Sequence, residues 1–311
     1  MAKQKFRTEV SQLLELIIHS LYSNKEIFIR ELISNSSDAL DKLKYLTLTN
    51  KKYSKIKFNP KITLSFDNDK KTITISDNGI GMNKEDLVDS LGTIARSGTK
   101  KFLEQLKSEA KKDSNLIGQF GVGFYSSYMV ADKVAVTTKK ALEKKAFIWK
   151  SDGKTGFTIK ETEKVENGTN ITLFLNDKGE EYTNRWSIQS VIKKYSDHIA
   201  FPIELHYSEE VDKKIEEKIE QVNSASAFWK KSKSGLKAKD YNDFYKSLSG
   251  DTEDPMMKIH TQAEGNLVYS TLFYVAKKAP FDMFRADYTS GIKLYINRVF
   301  ITDDDKELMP T

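Results

Sequence analysis

The 311-residue chain has no cysteine and only five prolines. Without thiols there are no disulfides, no thiolate metal sites and no cysteine nucleophile, a composition that suits a reducing compartment. No uninterrupted apolar run approaches the roughly 18 residues that span a bilayer. Met1-Ala2-Lys3-Gln4-Lys5-Phe6 leads into an amphipathic segment with no hydrophobic leader and no small-residue cleavage site. The expectation is a soluble, cytoplasmic protein without a membrane partner. Neither sign of charge dominates: 50 Lys and Arg against 44 Asp and Glu leave +6, spread along the chain. That balance supplies no basic face for nucleic acid. Hydrophobic residues make up 39% of the chain and include 17 Phe, 14 Tyr and 3 Trp, enough to fill packed cores and to exclude wholesale disorder. The length is that of about two domains.

Periodicity organises the chain. Phe6, Val10, Leu13, Leu14, Ile17 and Leu21 predict a first helix, and residues 25–48 predict a second. Ile62, Leu64 and Phe66, then Ile73 and Ile75, alternate on either side of Asp67-Asn68-Asp69-Lys70, which predicts an antiparallel hairpin ending at Asp77. Residues 79–123 are glycine-rich, interrupted by helical patterns at 84–91 and 100–112. After a helical pattern at 125–130, four alternating strands follow around Val134, Trp149, Ile159 and Leu173, and helical periodicity returns at 186–201. Residues 209–221 are mostly Glu, Asp and Lys and are expected to be a charged linker between a domain of 1–208 and a second of 222–311. The second is expected to be α/β, with a helix at 241–248 and strands at 267–276 and 292–301. It is short for that many elements, which suggests a truncated unit exposing apolar surface around Phe228 and Trp229.

Four local patterns carry chemistry. On the second helix Glu31, Asn35 and Asp38 share a narrow arc opposite Ile29, Leu32, Ile33, Leu40 and Leu43. This polar stripe is either a solvated face, with Lys42 pairing to Asp38 one turn on, or a carboxylate that polarises water beside an amide oxygen for a hard cation. Asp77-Asn78-Gly79-Ile80-Gly81-Met82 follows a strand; a carboxylate there can accept from an exocyclic amine, although the same residues make an ordinary turn. Gly118-Gln119-Phe120-Gly121-Val122-Gly123-Phe124 opens a helical segment, as a phosphate-binding loop or as a hinge. It fits neither the dinucleotide fingerprint nor a Walker loop. Gly168-Thr169 opens a strand, where the hydroxyl serves structure or a base edge.

In this order and spacing the four resemble the ATP-binding fold shared by type II topoisomerases, mismatch-repair ATPases, histidine kinases and the ninety-kilodalton heat-shock chaperones. The sequences at 28–40, 77–82, 91–99 and 118–124, with Leu294-Tyr295-Ile296-Asn297-Arg298-Val299-Phe300-Ile301, resemble the chaperones most, in their bacterial branch. The resemblance implies an α+β fold: a two-layer α/β sandwich of the GHKL (Bergerat) type, its mainly antiparallel sheet covered by helices on one face, followed by a partial α/β middle domain. It implies an ATP-dependent chaperone in which Glu31 is the general base, Asn35 the Mg²⁺ ligand and Asp77 the acceptor of the adenine amine. Met82, Leu91, Phe124 and Ile171 would wall the base and ribose, with Thr169 supporting Asp77. Gly118, Gly121, Val122, Gly123 and Phe124 would wrap the phosphates of ATP or ADP. Asp38, Lys42, Gly81 and Arg96 would complete the nucleotide contacts, with residues 92–123 as a lid. Implied partners are unfolded or partly folded clients and, at full length, a second copy. Such chaperones use a later Arg on the γ-phosphate that this chain does not contain, and an Arg of that kind is worth about 10³–10⁵ in rate; weak turnover is expected. The alternatives within the fold are a signalling kinase or a DNA-repair or topoisomerase ATPase. None of His19, His198, His206 and His260 sits in a phospho-acceptor setting, and the charge balance argues against nucleic acid.

Overall fold

The computed structural model describes residues 24–105, 116–118, 120–211, 214–265, 268–279, 285 and 292–303. The helix expected over 6–21, and most of the one expected over 100–112, lie outside these residues. The described chain forms two compact units, one of residues up to Ala225 together with Tyr295–Phe300, the other of the remainder.

The first unit is built on eight strands: β1 (Ile62–Asp67), β2 (Thr72–Asp77), β3 (Ala131–Lys139), β4 (Ala146–Ser151), β5 (Phe157–Thr162), β6 (Gly168–Leu175), β7 (Ile203–Val211) and β8 (Lys214–Gln221). Their order is β5-β4-β3-β6-β2-β1-β7-β8, and only β1 with β7 is parallel. Alternation sets the faces: Leu64, Ile73, Ile75, Val134, Val136, Trp149, Leu173, Ile203 and Leu205 all point into the core and are at most 2% exposed. Helix α1 (Ile27–Thr49) covers this face with Phe28, Ile29, Leu32, Ile33, Leu40 and Leu43, the expected i, i+3, i+4 set. Helix α2 (Lys84–Leu91) starts at a capping box in which Asn83 and Asp86 satisfy each other's backbone N–H. Helix α3 (Gly98–Gln105) follows. Residues 123–129 form a 3-10 helix where an α-helical pattern was expected. Helix α4 (Arg185–Tyr195) is capped by Asn184 and ends six residues before the expected limit of 201.

The expected charged linker is instead the sheet edge. β7 and β8 pair antiparallel from Glu204–Gln221 to Val211–Lys214, and Lys218 bridges to Glu209 across them. Edge strands carry charge to resist pairing with other chains, so composition alone imitates a linker. The chain then turns back into the core: Val222 is buried, and Asn223 accepts from Ile203 N–H and donates to the carbonyls of Ile199 and Phe201. The division therefore falls after Ala225, not within 209–221.

In the second unit, helix α5 (Ala238–Ser249) packs beside the antiparallel strands β9 (Met257–Ala263) and β10 (Tyr269–Val275). Phe228 stacks on Phe244 at 4.6 Å and is buried. The exposed apolar surface lies elsewhere than expected, at Met257, Ile259, Phe273 and Val275 on one face of the hairpin. Strands β11 (Leu294–Ile296) and β12 (Val299–Thr302) follow, with Tyr295–Phe300 in the first unit. Among the described residues no helix is long and apolar enough to cross a membrane.

Candidate functional site

The polar stripe of α1 is not a solvated face. Asp38 is 1% exposed and accepts the backbone N–H of Ile117 at 2.8 Å and of Gly118 at 2.9 Å. Thr99 Oγ1 donates to Asp38 Oδ2 at 2.9 Å and accepts from Lys42 Nζ at 2.8 Å, so one hydroxyl joins a carboxylate to an ammonium across 61 and 57 residues of sequence. Burial pushes the Asp38 carboxyl up, opposed first by Lys42 and then by the two N–H groups. Burial pushes the Lys42 ammonium down, opposed by Asp38, Asp77 and Asp86. Each charge is thereby the other's main compensation.

The glycine segment closes on the same stripe. A Cβ at Gly118 would meet Asn35 Oδ1 at 2.9 Å, and a Cβ at Gly123 would meet Glu31 Oε2 at 2.2 Å, so each glycine lets the backbone close directly on a stripe side chain. Gly121 backs onto the Arg96 main chain, and Val122 is half-buried between Gly121 and Gly123. Glu31 receives both Nε and one terminal nitrogen of Arg30, at 3.1 and 2.6 Å. Glu31, Asn35, Asp38, Lys42, Gly118 and Gly123 are thus brought together.

Asp77 ends β2 against Thr169 of β6. Its carboxylate accepts Gly79 N–H at 2.9 Å. Burial raises its carboxyl to about 7, opposed by Gly79 N–H, the charge of Lys164, Thr169 N–H and the Ser36 side chain. Ser36 reaches from α1, and Ile80 N–H donates to Ala39 O at 3.0 Å, so this loop is tied to the helix that bears the stripe. Gly81 has φ +64° and lies where a Cβ would collide with Lys139 O at 2.0 Å. Thr138, fully buried, takes Met82 N–H at 2.9 Å, donates to Gly168 O at 3.1 Å and meets Thr169 Oγ1 at 3.0 Å. Its single proton goes to Gly168 O, so the Thr169 hydroxyl donates to Thr138. Thr169 therefore supports Asp77 through its backbone.

Met82 and Leu91 pack on the core, Ile171 stands opposite Ile75, and Phe124 lies edge-on to Trp149 at 5.6 Å. Tyr125 OH donates to Leu91 O at 3.1 Å. Arg96 stays outside the cluster: its guanidinium pairs with Asp89 at 3.2 Å on the surface. Ser36, Thr99 and Thr138 are the partners that the sequence did not disclose; only the burial phase of Thr138, in step with Val134 and Val136, hinted at an inward role.

Among the described residues no cluster of three or more His, Asp or Glu could hold a metal. Asn35 offers one amide oxygen, which suits Mg²⁺ only if phosphate and water supply the other ligands, the habit of this ion.

Residues 22–154 match the family described as histidine kinase-, DNA gyrase B- and HSP90-like ATPases, and residues 208–311 match Hsp90 protein. Among relatives, the chaperone protein HtpG of Wolinella succinogenes is 58% identical over 311 residues, all of this chain and 50% of the relative. That of Helicobacter acinonychis is 60% identical over 314 residues, 98% of this chain and 51% of the relative. That of Treponema denticola is 57% identical over 328 residues, with 100% and 51% covered. The chain spans about half the length of these relatives. With residues 208–311 matched by the Hsp90 protein family and its length aligned at 57–60% identity to HtpG proteins, the chain belongs to the Hsp90 family.

Proposed function

We propose that this chain binds ATP or ADP and forms the nucleotide-binding part of a molecular chaperone. The observation that carries the reading is the position of Asp77. A buried carboxylate whose charged form burial disfavours, at a strand end beside two glycines, is stabilised when a neutral amine donates to it. The adenine amine fits that requirement. The base and ribose would lie against Met82 and Leu91, with Phe124 and Ile171 forming the core beneath. The phosphates would run toward the stripe of α1, where backbone N–H groups of residues 120–124 would serve as donors and Lys42 would add a positive charge.

Asn35 would hold Mg²⁺ carried by the nucleotide; bound there, the ion neutralises phosphate charge. Glu31 would orient the attacking water and accept its proton. Arg30 fixes the Glu31 carboxylate through two hydrogen bonds. Arg96, paired with Asp89 at the surface, contributes charge near the phosphates only after leaving that partner. Turnover by this chain alone would be weak, since a positioned carboxylate does not by itself stabilise the charge of phosphoryl transfer. In the longer protein, hydrolysis would drive conformational cycling of a homodimer on unfolded or partly folded clients in the cytoplasm. Residues 1–225 would be the nucleotide domain and the chain from 226 the start of a middle domain.

Calorimetric titration with ADP and ATP, with and without Mg²⁺, tests the proposal. One site per chain is expected, tighter with Mg²⁺ for ATP. Absence of any nucleotide binding by the folded protein would sink it.

A further inference from the structure

The turn between β11 and β12 is made by Asn297 and Arg298, both left-handed, at φ 45° and 73°. Residues 295–300 belong to the first compact unit, and their side chains anchor them there. Val299 and Phe300 are buried in its core; the Phe300 ring lies 5.8 Å from Tyr195, and Tyr295 meets His198 edge-on at 5.4 Å. On α1, burial and the Asp38 charge push the Asp41 carboxyl up to about 6, opposed by the charges of Lys44 and then Arg298. Beside these side-chain anchors, Asn297 Nδ2 donates to Leu116 O at 2.9 Å.

Residues 116–118 belong to no helix or strand. Side chains from elsewhere satisfy their backbone instead. Asn297 takes the carbonyl of Leu116, Asp38 takes the N–H groups of Ile117 and Gly118, and Ser97 Oγ donates to Gly118 O at 2.5 Å. Among the described residues these four hydrogen bonds hold the segment, and Asn297 supplies the one at Leu116. We infer that Asn297 is a positioning residue of the nucleotide site: by holding Leu116 it keeps residues 116–118 converged on Asp38 and Gly118 seated over Asn35. The inference rests on the reading of this stripe as the phosphate end of a nucleotide site. It assigns a residue some 180 positions along the chain from α1's partners to the geometry of that site.

The left-handed turn and the hydrogen bond make separable demands. Asn, Asp and Gly all accept a left-handed φ, but of the three only Asn presents a side-chain donor to Leu116 O. Asn297→Asp and Asn297→Gly therefore keep the turn and remove the bond. In both variants, checked for parental melting, ADP affinity by calorimetry should fall by roughly 3- to 10-fold, the range of one neutral hydrogen bond. Amide exchange at Ile117 and Gly118 should quicken by a similar factor while β2 and β6 stay protected. Asp should be the worse of the two, because its carboxylate faces a carbonyl. A purely turn-forming role would leave both variants parental in affinity and exchange, which overturns the inference. A loss of affinity with unchanged exchange at Ile117 and Gly118 overturns it as well. If the parental protein binds no ADP, the nucleotide reading falls, and exchange at the two amides still decides whether Asn297 positions the segment.

Discussion

Asn223 Oδ1 accepts the N–H of Ile203 at 2.9 Å, closing the start of β7 from a residue that follows the whole β7–β8 hairpin. Its Nδ2 donates to Ile199 O and Phe201 O at 3.2 and 3.0 Å. One side chain thus finishes three backbone groups where α4 gives way to β7, and it makes the charged hairpin part of the first unit.

Asn223→Ala should accordingly lower the unfolding free energy by about 1–3 kcal/mol, the cost of leaving a buried donor without its partner. Urea denaturation of the whole chain measures it, following the transition of the first unit. A neutral effect would mean that residues beyond 208 lie outside the cooperative unit.

Glu31→Ala should bind ATP with near-parental affinity and lose hydrolysis by about 10²–10⁴-fold in single-turnover measurements, because a general base acts on the rate and not on ground-state binding. Parental hydrolysis in this variant would place the base elsewhere. A parallel loss of affinity would assign Glu31 to binding.

The raised Asp77 carboxyl carries a sign for pH. Between its unfolded value of 3.8 and about 7, the folded ligand-free state holds a proton that the unfolded chain has released. Its contribution to stability is therefore full below the lower value and is lost as pH rises through the upper one; Asp41, at about 6, adds in the same direction. The parental protein should lose stability relative to Asp77→Asn across this window. If the adenine amine donates to an ionised Asp77, nucleotide binding at pH 6.5 should release protons, read as a binding enthalpy that changes with the ionisation heat of the buffer. An enthalpy independent of buffer would contradict that contact.

Much of the first unit is legible because one face of each element is buried and the other is not. Ile62, Leu64, Ile73 and Ile75 alternate, and Leu32, Ile33, Leu40 and Leu43 recur at helical spacing, so hairpin and helix are visible in the residues. β8 escapes notice because Ile215 and Ile219 are exposed and the rest of the strand is charged, as an edge requires. The helical pattern at 125–130 gives a 3-10 helix because Ser126 and Ser127 are drawn inside, with Ser126 Oγ bonded to Gly123 O. In the site, Glu31, Asn35, Asp38 and Asp77 stand out by type and spacing. Thr99, Thr138 and Asn297 do not, since each acts on a partner 31 to 181 residues away and no periodicity encodes such a pairing. Arg96 shows the converse: a charge in the right segment of sequence, held by Asp89 at the surface.

The most direct test of the account is ADP binding by Asp77→Asn, measured by titration calorimetry on protein shown to be folded. Replacing one carboxylate oxygen with an amide donor sets it against the adenine amine in a buried site, a mismatch of about 1–3 kcal/mol or more on top of the lost bond. The account predicts that ADP binding disappears at concentrations that saturate the parental protein. Parental affinity in the folded variant would remove Asp77 from the base pocket and with it the proposed function of the site.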